Sequence, residues 1–480
     1  MKKISFLTVA LWISTMPLFA EIKLPALVGD NMVLQQSTQV RLWGEATPNT
    51  TLTAYGSWSQ QTYTTQVDGQ GKWEIWVQTP SASFDKQQVT LENEADKITL
   101  HDILIGEVWL GGGQSNMEMP LRGFTQCPIG GSDYVIATAG RYKNAIRYAT
   151  IDRVGALEPA EYPQGGEWKV CNSANAPEFG ATAYFFAIML VDVLDVPVGI
   201  INCSWGGSSV EGWLPKEILK GYSDVDLSQA GDENIHPMLQ PMIMYNGLLK
   251  PTSKYTIKGF LWYQGESNVG HPDYAKRLAT MVEEWRSLWG QGELPFYMVE
   301  IAPYGDYGDE DKGAFLREEQ HKATKLIPNS GIISTNDLVE DYEIYQIHPR
   351  NKQTVGERLC YMALNKTYGY KTIPCEGPEY DHMEIDGDKA LVYFNHAKDG
   401  FNLLSDMIGF EIAGEDMVFH EANATIHNSP YDYEHANVLI VSSPEVEKPV
   451  AVRYCFHDFQ IGNVKNVQGM PMLPFRTDTE

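Results

Sequence analysis

Three patterns of apolar and polar positions follow one another along this chain. From residue 22 to about 102, apolar and polar residues alternate in short runs: Val40–Trp43, Thr51–Tyr55, Trp73–Val77 and Val89–Leu91. Turn residues separate them, as in Thr47–Thr50 and Asp68–Gly71. Period-two alternation with regular turns predicts a small β-sandwich over 21–102. From 103 to 372 the period changes. Strand-like runs at Val198–Cys203, Thr256–Tyr263, Pro295–Ala302 and Gly331–Thr335 interleave with helical patterns at Ala181–Leu194, Leu278–Trp289, Phe315–Leu326 and Arg350–Tyr368. In the last helix Val355, Leu359, Met362 and Ala363 share one face, and Gly369 stops it. Such alternation predicts an α/β domain with a mostly parallel sheet flanked by helices. From 373 to 480 the β pattern returns in Ala390–Phe394, Met407–Ile412, Val438–Val441 and Val450–Cys455, which predicts a second β-sandwich.

Within the central domain, Ile103–Pro120 stands out. A run of buried-strand character ends in three glycines, Gly111 to Gly113, followed at once by Gln114, Ser115 and Asn116. Glycines at a strand end let backbone and ligand approach closely, and a small hydroxyl residue placed there is positioned as a nucleophile. The competing structural reading is a tight turn in which Ser115 caps the next helix. Two further strand patterns end in small polar groups, Ser204–Ser208 and Gln264–Asn268. In a parallel sheet the three ends lie on one edge, where ligands bind.

Acyl transfer needs a nucleophile, a base and donors for an oxyanion. Ser115 supplies the first. Gly207, or its neighbour Gly206, offers a backbone N–H, Gln264 a side-chain amide, and Ser115 its own N–H. The base is expected from a histidine on a loop at the same edge. His348 lies between the last strand and the last helix, with Pro349 setting the helix start, although proline there also fits a plain structural cap. His236 and His271, each followed by proline, are its rivals; Ser204, Ser208 and Ser267 are rival hydroxyls.

Composition narrows the function classes. A length of 480 residues suggests about three domains. The net charge of −26 argues against nucleic acid and anionic membrane surfaces as partners, because both need a basic footprint. It also makes an acidic sugar an awkward ligand unless Arg or Lys lines the pocket; Arg122 and Arg350 are the nearby candidates, with surface salt bridges as the alternative. Lys2 and Lys3, the apolar run Ile4–Phe19 and Ala20 before Glu21 predict a signal peptide over 1–20, and so a periplasmic or extracellular protein. Some of the six cysteines could pair after export, with Cys203 expected as a buried thiol. No HExxH or Cys/His spacing implies a metal, and no cofactor is expected. Oligomeric state is not legible. No GxSxG elbow surrounds any serine, which disfavours a lipase or protease.

The segments GEVWLGGGQSNMEMP, SWGGSSVEGW, FLWYQGESN and IHPRNKQTVGERL closely resemble the sialate O-acetylesterase family of SGNH-type carbohydrate esterases. MVLQQ at 32–36, GFEIAGED at 409–416 and PFRTD at 474–478 extend the resemblance over nearly the whole mature chain. It implies a three-layer α/β/α esterase domain that removes O-acetyl groups from sugars, with O-acetylated sialic acid as the first substrate. An acetylated xylan or other plant glycan is the alternative, and a non-catalytic glycan-binding protein a third reading. The resemblance places the nucleophile on Ser115, the base on His348 and oxyanion donors on Gly207 and Gln264. In one respect the chain departs from the family. Many members carry an acid just before the histidine, as Asp-x-x-His or Asp-Ile-His-Pro, where this chain has Tyr345 and Gln346. Asp337, Asp341 or Glu343 orients the imidazole from a longer loop, or the site works as a Ser–His dyad.

Overall fold

The structure, a computed structural model, describes residues 21–308, 311–427 and 434–478. The expected signal peptide, 1–20, lies outside them. The centre is a seven-strand sheet in the order Ser330–Ile333, Phe296–Val299, Gly259–Tyr263, Lys97–Gly113, Val198–Ser204, Ile146–Ile151 and Gly165–Val170. All neighbours pair in parallel except the last, which is antiparallel.

Residues of these strands alternate between two cores. Val108, Leu110, Phe260, Trp262, Phe296 and Met298 face one. Trp109, Leu261, Tyr263, Tyr297 and Val299 face the other. A strand buried on both faces has no polar side, which is why these segments read as continuous apolar runs. The helices Tyr274–Trp289 and Lys312–Leu326 cover the first face; Ala181–Leu194 and Lys352–Lys366 cover the second. Trp262 and Trp285 meet edge to face at 5.3 Å, a contact that adds about 0.5–1.5 kcal/mol beyond its buried area.

Two strands of the central sheet escaped the sequence reading, Ile146–Ile151 and Gly165–Val170. Arg147 breaks the apolar pattern of the first, yet it is fully buried because Asp102 accepts its guanidinium at 3.0 Å. The Lys97–Gly113 strand also runs across the expected 102/103 boundary. Its first half pairs with Ser83–Glu92 and its middle with Val33–Gln35 before it enters the central sheet. The first core accordingly continues from Leu42, Trp73 and Ile75 to Trp262. Beyond residue 378, two four-stranded sheets enclose a separate core that includes Phe394, Phe410, Leu439 and Tyr454. All six cysteines are free thiols, and Cys203 is fully buried.

Candidate active site

Three strand ends meet at Gly113. It pairs with Ser204 on one side and Tyr263 on the other. Its φ is +128°, and a Cβ there would lie 2.2 Å from the Tyr263 carbonyl oxygen, so only glycine fits. The chain then turns into a four-residue helix, Ser115–Glu118, whose N-cap is Gln114. No side chain caps that helix end. The Ser115 hydroxyl therefore has no capping role, and it lies 2.8 Å from Nε2 of His348.

His348 sits on the loop before the Lys352–Lys366 helix. That helix begins two residues later than the Arg350 start expected from its pattern, because Asn351 caps it by accepting the Thr354 N–H at 3.1 Å. Asn116, next to Ser115, ties the two loops together. Its Nδ2 donates to the Ile347 carbonyl at 3.0 Å and to Oε1 of Glu266 at 2.6 Å, and its Oδ1 accepts Lys352 Nζ at 2.5 Å. The Phe124 ring meets the imidazole edge-on at 5.3 Å. Burial pushes the His348 imidazole down to about 4, and the nearby Lys352 ammonium adds to the shift. Lys352 is itself pushed down to about 7 by complete burial, against the opposing pull of Glu266 and Glu343.

None of the three acids considered for orienting His348 reaches it. Asp337 pairs with Arg358 at 2.7 Å and Lys465 at 2.8 Å. Glu343 accepts the backbone N–H groups of Glu340 and Arg350. Asp341 is exposed at the start of the short turn Asp341–Glu343. Nδ1 instead faces Sγ of Cys127 at 3.9 Å, whose thiol donates to Oε1 of Gln346 at 3.3 Å.

The expected donors fare differently. Gly206 gives its N–H to Oε2 of Glu118 at 2.5 Å. Gly207, at φ +76°, gives its N–H to no group among the described residues, and the same holds for the Ser115 N–H. Gln264 is fully buried, and both of its amide protons are committed. Nε2 donates to the Ser208 carbonyl at 2.9 Å and to Oδ1 of Asn268 at 2.7 Å, while Oε1 accepts the Tyr274 hydroxyl. No local pattern around Gln264 signals that saturation. Gln264 thus braces the loops rather than presenting a free donor. The rival hydroxyls are also engaged: Ser204 with Asn202, Ser208 with the Gly113 carbonyl, Ser267 with the Gly207 carbonyl. Among the described residues neither His236 nor His271 bonds to Ser115. Asn116, Glu118 and Lys352 were not singled out from sequence. The one available cue was their position inside the long motifs around Ser115 and His348.

A cavity of about 700 Å³ lies on the Glu118 and Phe124 side of the site, lined by Glu118, Phe124, Arg153, Asn202 and Ser204 among others but not by Ser115 or His348 themselves. Arg122 also lines it and pairs with Glu178 at the surface. The Arg350 side chain bonds the Tyr342 hydroxyl at 3.5 Å.

Residues 105–365 match the profile described as carbohydrate esterase, sialic acid-specific acetylesterase. The chain belongs to that family. As a member of the sialic acid-specific acetylesterase family it is a carboxylic ester hydrolase. It is similar to a protein named sialate O-acetylesterase from Homo sapiens, 27% identical over 397 residues that cover 76% of this chain and 75% of that one. The Mus musculus protein of the same name is 26% identical over 449 residues, covering 80% and 81%. The fold is similar to the crystal structure of a carbohydrate acetylesterase from Xanthomonas citri. That likeness has a TM-score of 0.83 and 32% identity, and covers 96% of this chain and all of the other.

Proposed function

We propose that this family member removes acetyl groups from O-acetylated sugars through an acetyl-enzyme on Ser115. The carrying observation is the 2.8 Å contact between Ser115 Oγ and His348 Nε2 at the strand edge. Ser115 attacks the acetyl carbonyl as His348 takes its proton. The oxyanion forms against the free N–H groups of Ser115 and Gly207, and each such donor contributes roughly 100- to 1,000-fold in rate. His348 returns the proton to the departing sugar hydroxyl. Water, activated by the same imidazole, then releases acetate. Gln264 supports this hole by bracing Ser208, which follows Gly207.

Among the described residues no carboxylate bonds the His348 imidazole. The Cys127 thiol gives its proton to Gln346, so sulfur faces Nδ1 as a weak acceptor. That favours the tautomer with Nδ1–H, whose Nε2 lone pair meets the serine.

For substrate, the names of the relatives support O-acetylated sialic acid. A specific observation favours the second reading, an acetylated neutral glycan. Charged groups lining the cavity are Glu118, Asp152 and Glu178 against Arg122 and Arg153, so carboxylates outnumber guanidinium groups. Acetate release from O-acetylated sialoglycan, compared with acetylated xylan, decides between them. Ser115→Ala is expected to abolish release from both, and full activity in that variant would refute the assignment. Export, the remaining part of the reading, rests on the Lys2–Ala20 pattern; cleavage before Glu21 in the mature protein is its test.

A further inference from the structure

Glu118 closes the helical turn that Ser115 opens, and its carboxylate is shared between two groups. Oε2 accepts the Gly206 N–H at 2.5 Å, and Oε1 accepts Nη1 of Arg153 at 2.8 Å. Gly206 is wedged between the catalytic turn and this carboxylate. A Cβ there would sit 3.2 Å from Oε2 of Glu118 and 3.4 Å from Cβ of Ser115.

The backbone from 205 to 208 is held at nearly every point. Trp205 donates its N–H to the Gly113 carbonyl at 2.9 Å, and Ser208 donates to the Trp205 carbonyl at 3.2 Å. The Gly207 carbonyl accepts Ser267 Oγ at 2.9 Å, and the Ser208 carbonyl accepts Gln264 Nε2 at 2.9 Å. Of the four N–H groups in this stretch, that of Gly207 alone has no acceptor among the described residues.

We propose that Glu118 is a positioning residue whose carboxylate holds Gly206 so that the next N–H, that of Gly207, faces the carbonyl attacked by Ser115. This rests on the reading of Ser115 and Gly207 given above. The peptides carrying the Gly206 and Gly207 N–H groups are joined through the φ and ψ of Gly206, so holding the Gly206 N–H on Glu118 while Ser267 holds the Gly207 carbonyl narrows where the Gly207 N–H can point. Preorganised donors work because they need no reorientation as charge develops. A carboxylate close to a developing oxyanion opposes it unless paired, and Arg153, reaching from the cavity side, supplies the pairing charge. What the turn requires from residue 118 is an acceptor at the right reach. Glutamine preserves that reach, and aspartate is one methylene short.

The test compares Glu118→Asp and Glu118→Gln with the full-length wild type. The readouts are kcat and KM for p-nitrophenyl acetate, and the inhibition constant of a boronic acid that forms a tetrahedral adduct on serine. Thermal melting confirms that each variant is folded. In Glu118→Asp, kcat is expected to fall about 10- to 100-fold, less than for outright loss of a donor, with the boronate constant rising by a similar factor and KM changing little. Glu118→Gln is expected to hold both to within about fivefold of wild type, since its amide oxygen is an acceptor at the same reach. The proposal is overturned if Glu118→Asp leaves kcat and the boronate constant unchanged. It is equally overturned if kcat falls while boronate affinity holds, because the loss then lies outside the oxyanion site. Ser115→Ala, measured in parallel, separates the two levels. Activity surviving in Ser115→Ala removes the reading of the whole site, whereas an inactive Ser115→Ala beside an unaffected Glu118→Asp removes only the role of Glu118.

Discussion

Sγ of Cys127 lies 3.9 Å from Nδ1 of His348, on the side of the imidazole where a triad carboxylate would bind. A thiol is a weak acceptor and carries no charge to stabilise an imidazolium. Cys127→Asp places a carboxylate there. An acid beside a histidine raises its pKa by about 1–3 units. The acid limb of kcat/KM for a small acetyl ester is therefore expected to move to higher pH in this variant. An unchanged limb would show that Cys127 does not face the working base. Cys127→Ala is expected to cost little, about fivefold or less in kcat, because only a weak hydrogen bond is lost.

The wild-type pH profile follows from the same surroundings. Burial and the Lys352 charge both disfavour the imidazolium, which holds His348 at about 4. The base is thus neutral and ready throughout the weakly acidic range. Activity is expected to stay level from neutral pH down to about pH 5 and to fall towards pH 4, below the ordinary histidine limb near 6.5. The stability effect has a matching sign. Between pH 4 and 6.5 the unfolded chain binds the extra proton, so stability rises with pH across that window. A limb at or above 6.5 in steady-state kinetics contradicts this account.

Much of this arrangement was legible because the strands that carry it are buried on both faces. Val198–Ser204 and Gly259–Tyr263 read as apolar runs ending in polar residues, and their ends do meet at Gly113. The alternating helices around them were visible for the same reason, since each buries one face. Ile146–Ile151 was invisible because Arg147 interrupts the pattern, and that burial is offset by the distant carboxylate of Asp102 together with the Lys143 carbonyl. Side-chain commitments were also out of reach. Gln264 and Gln114 both sit at strand ends. Nothing local says that the amide of Gln264 is saturated by Ser208 and Asn268, or that Oε1 of Gln114 accepts the Gly265 N–H. Hydrogen-bond partners 56 and 151 residues away belong to the fold rather than to the segment.

Gln264 gives a direct test of that distinction. Gln264→Ala takes from the buried Ser208 carbonyl its amide donor, whereas Asn268 Oδ1 keeps the Val210 N–H at 2.9 Å. An unsatisfied buried group costs about 1–3 kcal/mol. The variant is expected to lose stability on that scale in denaturant unfolding, with any kinetic loss following from a loosened 205–208 turn. Wild-type stability together with a large fall in kcat would instead make Gln264 a donor to the reacting oxygen.

Lys352 supplies the last expectation. Its Nζ is fully buried, donates to Asn116 Oδ1 at 2.5 Å and lies 5.4 Å from the centre of the Tyr263 ring. Through Asn116 it reaches the residue after Ser115, and through its charge it lowers the His348 pKa. Lys352→Met keeps the apolar stem but removes both effects. Orphaning Asn116 Oδ1 is expected to cost about 1–3 kcal/mol in denaturant unfolding. Independently, the acid limb of kcat/KM is expected to shift to higher pH, because an opposing positive charge has left the neighbourhood of the imidazole. Glu266, Glu343 and Cys127 all favour the charged form of Lys352, so the size of the shift reports how much net positive charge reaches His348 past them. A limb that stays in place while stability falls would mean that those acids already neutralise Lys352, and that its part is confined to holding Asn116 between the nucleophile turn and the base loop.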